Sequence, residues 1–507
     1  MTNPGMFSVS RNRFILAVCG IGLALSGCGG GGGGGSSPPV TVNLDASAPV
    51  QVLEGVDGAV ALLEFTVRLS GAAEGALSIN YSTANLDASG LANCNDAGAD
   101  YVASVGTLAI PSGQSSGVIQ IQVCGDDAFE ANEKLTLTLT STSGKGVLGN
   151  QPSLTGLIVN DDAGGLNDSG ASACGTGALA LAACPQATHP AQDAQHGRDV
   201  NSLTNSDADG RKGFSFTKLD NAGAALPGSA ASWTCIRDNV TGKLWEAKTA
   251  GNQALTYTWA NAQAYAAGIG SLCGVSGWRL PTPQELAGLL DNSLVGGAAA
   301  VGGAAAIDGV FFPDQQSATY WSANASIGSP TEAWAVNFIY GIVLLNGQGL
   351  ANHVRLVHGA VPAPSYQAPV AGTVRDLTSG LQWRQCADGM SVSGATCTGT
   401  AQTYTWQAAL NRVTAVNQAG FAGYSDWRLP NRNELAALVD HSRDNPALDI
   451  ASFPGFPQVG GLTPNFWTST PYAGNGAQAW SVGFEDGDVG QLDQSNTFFI
   501  LLVRGGQ

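Results

Sequence analysis

The stretch Trp278-Arg-Leu-Pro-Thr-Pro-Gln-Glu-Leu-Ala-Gly-Leu-Leu-Asp291 returns as Trp427-Arg-Leu-Pro-Asn-Arg-Asn-Glu-Leu-Ala-Ala-Leu-Val-Asp440. Each copy reads as a strand end that turns into a helix. Thr282 and Asn431 are N-cap residues, and Glu285 and Glu434 follow three positions later, the spacing of a capping box. Pro283 stands at the first helical position, where its missing N–H costs nothing. Leu286, Leu289 and Leu290 share one helical face, as do Leu435, Leu438 and Val439. The motif is therefore a folding element used twice.

The register extends in both directions from this anchor. Arg237–Trp245 aligns with Arg375–Trp383 at an offset of 138, and Thr256–Trp259 with Thr403–Trp406 at 147. The nine extra residues of the second copy fall in the loop that holds Cys386 and Cys397. Tyr320-Trp-Ser322 then meets Phe466-Trp-Thr468, and Leu356-Val-His-Gly359 meets Leu502-Val-Arg-Gly505, both at 146. A steady register at the far end means two full copies, over 189–361 and 362–507. Each reads as α+β: a strand with Trp245 or Trp383, a helix after Thr258 or Thr405, the anchor helix, a Gly-rich loop and closing strands. The region of Gly197-Arg-Asp199 and Gly213–Leu219 has a counterpart in the first copy alone and can add strands to it.

The chain has 507 residues, a formal charge of −17, 69 glycines and no basic run. Such acidity excludes a nucleic-acid surface, which needs clustered Lys and Arg, and suits divalent cations. Residues 1–27 read as a targeting segment: Arg11 and Arg13, then the 12-residue apolar run Phe14–Leu25, too short to span a bilayer. Leu25-Ser26-Gly27-Cys28 resembles a bacterial lipobox, which implies lipid on Cys28, attachment to a membrane and a place at the outer membrane or cell surface. Residues 28–39, Gly-rich and then Ser-Ser-Pro-Pro, form a tether, and 164–188 read as a Gly/Ala-rich linker. Eight further cysteines in an exported chain predict four disulfides, and proximity pairs Cys94–Cys124, Cys174–Cys184, Cys235–Cys273 and Cys386–Cys397. Cys235 and Cys273 align with Thr373 and Ala422, so the second copy lacks both partners together. Zinc is disfavoured, because there is no Cys-x-x-Cys pair and His is scarce.

Residues 40–163 read as all-β. Leu63–Leu69, Val118–Val123 and Leu135–Thr140 alternate with period two between turn residues. Val52-Leu-Glu-Gly55, Ala99-Asp-Tyr101, Asp126-Asp-Ala-Phe-Glu-Ala-Asn-Glu133 and Gly156–Asp162 resemble the Calx-β family, in that order. The resemblance implies an immunoglobulin-like sandwich with calcium at one end. Matched residue by residue, the candidate ligands are Glu54, Asp100, Asp127, Asp161 and Asp162, a set of hard oxygens that suits Ca²⁺. Local use of these acids in turns and ion pairs stands beside that reading.

The two copies resemble the Lcl C-terminal domain family, on Trp233-Thr-Cys-Ile-Arg-Asp-Asn-Val-Thr-Gly242, both Trp-Arg-Leu-Pro motifs, Tyr320-Trp-Ser322 and Val354-Arg-Leu-Val357. The Arg-Leu-Pro-Thr start is also similar to formylglycine-generating factors, which implies a C-type-lectin-like fold. The fold expected is thus multidomain: a sandwich followed by two α+β C-type-lectin-like domains. The resemblance implies non-catalytic recognition at a cell surface, of glycans or of another surface protein. An envelope structural protein and a formylglycine-generating-like enzyme are the alternatives. No catalytic set stands out: the five His have no metal spacing, and there is no Gly-x-Ser-x-Gly. Arg279 and Arg428 are expected to pair with Asp238 and Asp376, Trp321 and Trp334 to fill core or stack on a sugar, and Arg211, Lys212 and Lys218 to offer a weak basic patch. Arg355, replaced by Leu501 in the second copy, marks where the copies differ.

Overall fold

The computed structural model describes residues 38–505 apart from 56–58, 127–129, 131, 163, 202, 205–207, 297–304, 369, 458–460 and 462–463. Cys28 and Asp127 lie outside the described residues. No described helix is long and apolar enough to cross a membrane.

Residues 40–159 form two facing sheets of six and five strands. Val60–Leu69 pairs antiparallel with Ser116–Cys124 in one, and Leu77–Asn85 with Glu133–Thr142 in the other. The period-two pattern sends Leu63, Phe65, Val67, Ile121, Leu135 and Leu137 inward, all fully buried. Each such side chain contributes about 1.5–3 kcal/mol of apolar burial.

The two repeats share one sheet. Its strands run Thr319–Ala325, Glu332–Asn337, Val343–Gly347, Val489–Asp493, Gln478–Gly483, Asn465–Pro471, so the order of the second copy mirrors the first. The join is a single antiparallel pair, Val343 with Val489, which are equivalent residues of the two copies. A residue paired with its own equivalent places a local two-fold axis at that point. One apolar core crosses the join, with Trp245, Leu286, Leu290 and Phe338 of one copy and Trp383, Leu435, Leu438 and Phe484 of the other. Each copy keeps a smaller core of its own, around Trp278 and Trp321 or around Trp427 and Trp467.

Local chemistry repeats with the register. Thr258 and Thr405 cap the helices Trp259–Gly268 and Trp406–Gln418. Capping boxes start the anchor helices Pro283–Ala287 and Arg432–Ala437. Trp259 and Trp406 donate Nε1–H to the carbonyls of Ser322 and Thr468, and Trp321 and Trp467 to those of Tyr257 and Tyr404. Trp321 and Trp334 are buried, so both are core and neither offers a face to a sugar. The strand Phe216–Leu219, from the stretch before the first copy, pairs with Cys235–Asp238. All four expected disulfides are formed. The loop of Cys386 and Cys397 is a hairpin, Met390–Ser393 with Thr396–Gly399.

Residues 164–188 are not the loose linker that their composition suggests. Asn167, Asp168, Ser169 and Cys174 are buried, because side-chain amides of both copies satisfy the backbone there. The sandwich is not a detached spacer either. Gln51 donates to Asn201 at 3.1 Å, Arg504 pairs with Asp87 at 2.8 Å and Lys134 with Asp426 at 3.3 Å.

Candidate functional site

The end of the sandwich that faces the repeats is acidic. Asp100 precedes a short strand and is fixed by its backbone, whose N–H donates to Ser89 and whose carbonyl accepts from Cys124, while its carboxylate accepts the Ser89 N–H. Cys124 is itself bridged to Cys94, which staples the Asp100 loop to a central strand. Glu133 opens the strand Glu133–Thr142 opposite Ile158. The Glu130 N–H donates to Asn160 Oδ1 at 3.0 Å, and the Asn160 N–H donates to Asn132 Oδ1 at 2.9 Å. These ties bring one carboxylate oxygen each of Asp100, Glu130 and Glu133 within 4.8 Å of one another. Glu54, held by its N–H on the Val159 carbonyl, is buried beside them.

Crowded carboxylates out of water resist ionisation. Burial, then the charges of Glu130 and Asp126, push the Glu54 carboxyl up to about 8. Burial also raises Glu130, and burial with a hydrogen bond to Asp100 raises Glu133. Glu133 Oε2 is buried and has no hydrogen-bond partner. An orphaned acceptor among three convergent carboxylates is a donor set for a hard divalent cation.

Of the five ligands expected from sequence, Asp100 belongs to this group, and Glu54 lies close enough to feel the charges of Glu130 and Asp100. Asp162 lies close enough for its charge to bear on Glu54. Asp161 is exposed and is not one of the three convergent acids; its carboxylate accepts the Gly55 N–H at 2.9 Å, a long-range bond that ties it to the loop of Glu54. Glu130 and Glu133 were missed. Both stand in the Asp126–Glu133 motif, three residues apart, and that spacing at a strand start was the available signal.

The anchor motif builds a second feature. Arg279 and Arg428 do not pair with Asp238 and Asp376. Each grips the capping glutamate of its own motif, Glu285 or Glu434, with two bonds of 2.6–2.7 Å. Asp238 instead accepts from Asn167 and from the Val240 and Thr241 N–H groups, and Asp376 from Thr378 and Ser379. Arg432 is fully buried over the Trp480 ring and donates to the Gly341 carbonyl at 2.6 Å, tying the copies together. Gly341 has φ +72°, and a Cβ there would meet Val295 and Trp480. Between the copies lies a cavity of about 540 Å³, walled by Ala287, Ala437, Pro364 and Tyr366 and including Gln284 and His441.

The basic patch does not form. Lys218 is buried, donates to the Gly228 and Ala230 carbonyls and lies 3.7 Å from the Trp233 ring centroid, while Arg211 pairs with Asp291. Arg355 is a core residue that donates to Gln315 and to the Glu246 carbonyl and packs over Phe312.

The architecture is that of a multidomain, β-rich chain with a sandwich in front of a duplicated α+β unit. The Lcl C-terminal domain family matches residues 234–358 and 372–504, and the Calx-beta domain matches 41–163. The chain belongs to the Lcl C-terminal domain family and carries a Calx-beta domain ahead of its two copies. Domains of these kinds point to a binding or surface protein. Among solved structures, CBD12 from CALX1.2 is 26% identical over 25% of this chain and 46% of its own, with a TM-score of 0.21. The apo-form Calx CBD1 domain is 24% identical over 24% of this chain and 99% of its own, at 0.20. A two-domain protein of unknown function from Bacteroides fragilis is 9% identical over 63% of this chain and 87% of its own, at 0.21. The chain thus spans about half the length of the CBD12 structure. No curated protein matches it.

Proposed function

We propose that this chain is a lipid-anchored surface protein, tethered through Cys28, that binds glycans or a partner protein through its paired repeats and takes Ca²⁺ at the sandwich end. The observation that carries the calcium part is the convergence of Asp100, Glu130 and Glu133 with one buried, unpartnered Glu133 oxygen. A divalent cation would offset the burial and the neighbouring charges that hold Glu130 and Glu133 back from ionising.

For the repeats, the −17 charge and the commitment of Arg211 and Lys218 to internal partners favour uncharged ligands over sulfated ones. Two experiments test the reading. Metal titration of the purified chain should raise its melting temperature with Ca²⁺; no change would remove the cation site. A glycan array with and without Ca²⁺ should show binding; a blank array in both conditions removes the glycan version and leaves the protein partner.

A further inference from the structure

The sandwich meets the second copy through a ring of charges. Arg504 Nη2 donates to Asp87 Oδ1 at 2.8 Å and Arg504 Nε to Asp426 Oδ1 at 2.8 Å, while Lys134 Nζ lies 3.3 Å from Asp426 Oδ2. Asp87 and Lys134 belong to the sandwich, Arg504 and Asp426 to the second copy. The ring closes through the backbone, because the Lys134 carbonyl accepts the Asp87 N–H at 3.1 Å. Arg504 is only 7% exposed and is held on every side: Nη1 donates to Gln382 Oε1 at 2.7 Å, and the guanidinium lies 3.7 Å from the Tyr424 ring centroid. The first copy lacks the pair, with His358 at the position of Arg504 and Gly277 at that of Asp426.

The same backbone carries the convergent acids. Lys134 directly follows Glu133, the residue whose Oε2 is buried without a partner. The Lys134 carbonyl gathers the Leu86, Asp87 and Ala88 N–H groups at 3.3, 3.1 and 3.0 Å. One residue further on, the Ser89 N–H donates to the Asp100 carboxylate, and the Asp100 N–H returns to the Ser89 carbonyl at 3.1 Å. At the head of this turn Asn85 Oδ1 accepts the Tyr101 hydroxyl at 2.6 Å. The turn is therefore held from outside by Arg504, and it holds both Asp100 and the start of the Glu133 strand. Glu130, the third convergent acid, lines a hollow of about 30 Å³ together with Ser379, Leu381 and Glu434 of the second copy.

We propose that Arg504 is a positioning residue for the cation site of the sandwich: by pinning the Asp87 turn to the second copy it sets Asp100 and Glu133 in the arrangement that receives Ca²⁺. This deepens the calcium part of the reading above and rests on it. Binding free energies are reciprocal, so a bound cation tightens the seating of the sandwich as much as the seating tightens the cation. Two effects of Arg504 oppose each other. Its charge repels a second cation, so by Coulomb's law alone its loss would strengthen binding. Its hold on the turn pre-organises the ligands, and loss of such an outer support typically weakens a metal site about 10–100-fold. Solvent and the neighbouring Asp87 and Asp426 screen the repulsion, so the second effect governs.

The test measures Ca²⁺ binding to the purified full-length chain by titration calorimetry, for the parent, Arg504→Gln, Asp87→Asn and the double variant. Arg504→Gln should bind Ca²⁺ about tenfold or more weakly although it removes a positive charge, and Arg504→Lys should recover part of the loss. The double variant should bind little worse than Arg504→Gln alone, because both substitutions cut the same tie. Hydrogen exchange should show Ca²⁺ slowing the amides of residues 86–90 in the parent and less so in Arg504→Gln. If Arg504→Gln does not fold, Asp87→Asn cuts the tie from the sandwich side and carries the exchange measurement. Binding as tight or tighter in Arg504→Gln would overturn the positioning role and leave the calcium reading standing. Losses that simply add in the double variant would overturn the route through Asp87. A parent that gives no heat and no rise in melting temperature with Ca²⁺ would remove the calcium reading and this proposal with it.

Discussion

Arg428 and Glu434 meet fork to fork, Nη1 to Oε2 and Nη2 to Oε1, both at 2.6 Å. The same carboxylate accepts the Asn431 N–H that closes the capping box. One glutamate therefore starts a helix and neutralises an arginine whose side chain is 12% exposed. The first copy repeats the pair with Arg279, whose side chain is 27% exposed. Arg428→Ala leaves a buried carboxylate without its cation, at a cost of about 3–5 kcal/mol. Arg279→Ala should cost less, because water reaches Glu285 more easily. Chemical denaturation of the two variants checks the order, and equal midpoints would refute it.

The acidic end makes stability depend on pH in a definite sense. The carboxyl of Glu54, raised in the folded state from 4.5 to about 8, stays protonated where the unfolded chain has lost its proton. Its contribution is fully present below about pH 4.5 and is lost as pH rises toward 8. The metal-free chain should therefore show a falling melting temperature over that window, after correction with Glu54→Gln. Calcium should reverse the trend, since binding needs ionised ligands and tightens as pH rises. A Ca²⁺ affinity independent of pH between 5 and 8 would contradict the site.

Asp193 is buried between the copies and accepts hydroxyl hydrogen bonds from Ser169 and Thr470. Burial and the charge of Asp168 push its carboxyl up to about 7. Folding there again favours the protonated form, and stability falls as pH rises from about 3.8 to 7. Asp193→Asn keeps an acceptor for the hydroxyls and removes the charge. It should raise the melting temperature at pH 8 and leave it nearly unchanged at pH 4; the opposite ranking would sink the assignment.

The disulfides should differ in worth. Cys235–Cys273 closes a 38-residue separation and Cys386–Cys397 one of 11. Chain entropy alone gives about 4 kcal/mol for the first and about 3 for the second. Paired Ser replacements, compared by denaturant unfolding, should destabilise in that order.

Much of this was readable from residues. The capping boxes, the repeat, the α+β content and all four disulfides follow from spacing and register. The shared core was not, because an internal repeat shows that two units exist and not which of their edges meet. The stretch at Asn167–Ser169 misled through composition: small polar residues read as a tether until amides from elsewhere are known to hold their carbonyls. The arginine partners are not legible in the spacing, which shows Glu285 and Glu434 only as capping residues, while a carboxylate has lone pairs for a cap and an arginine together. Asp127 drew attention by alignment, while Glu130 and Glu133 are the acids that converge with Asp100.

The pairing of Val343 with Val489 bears on how such a chain could arise. A single repeat would leave the strand Val343–Gly347 with an open edge, and the simplest cover for that edge is the same strand of an identical molecule. The tandem chain has the form of a homodimer whose subunits became joined end to end. The second copy lacks the Cys235–Cys273 pair and carries a stapled hairpin, while the first has the buried Arg355 where the second has Leu501.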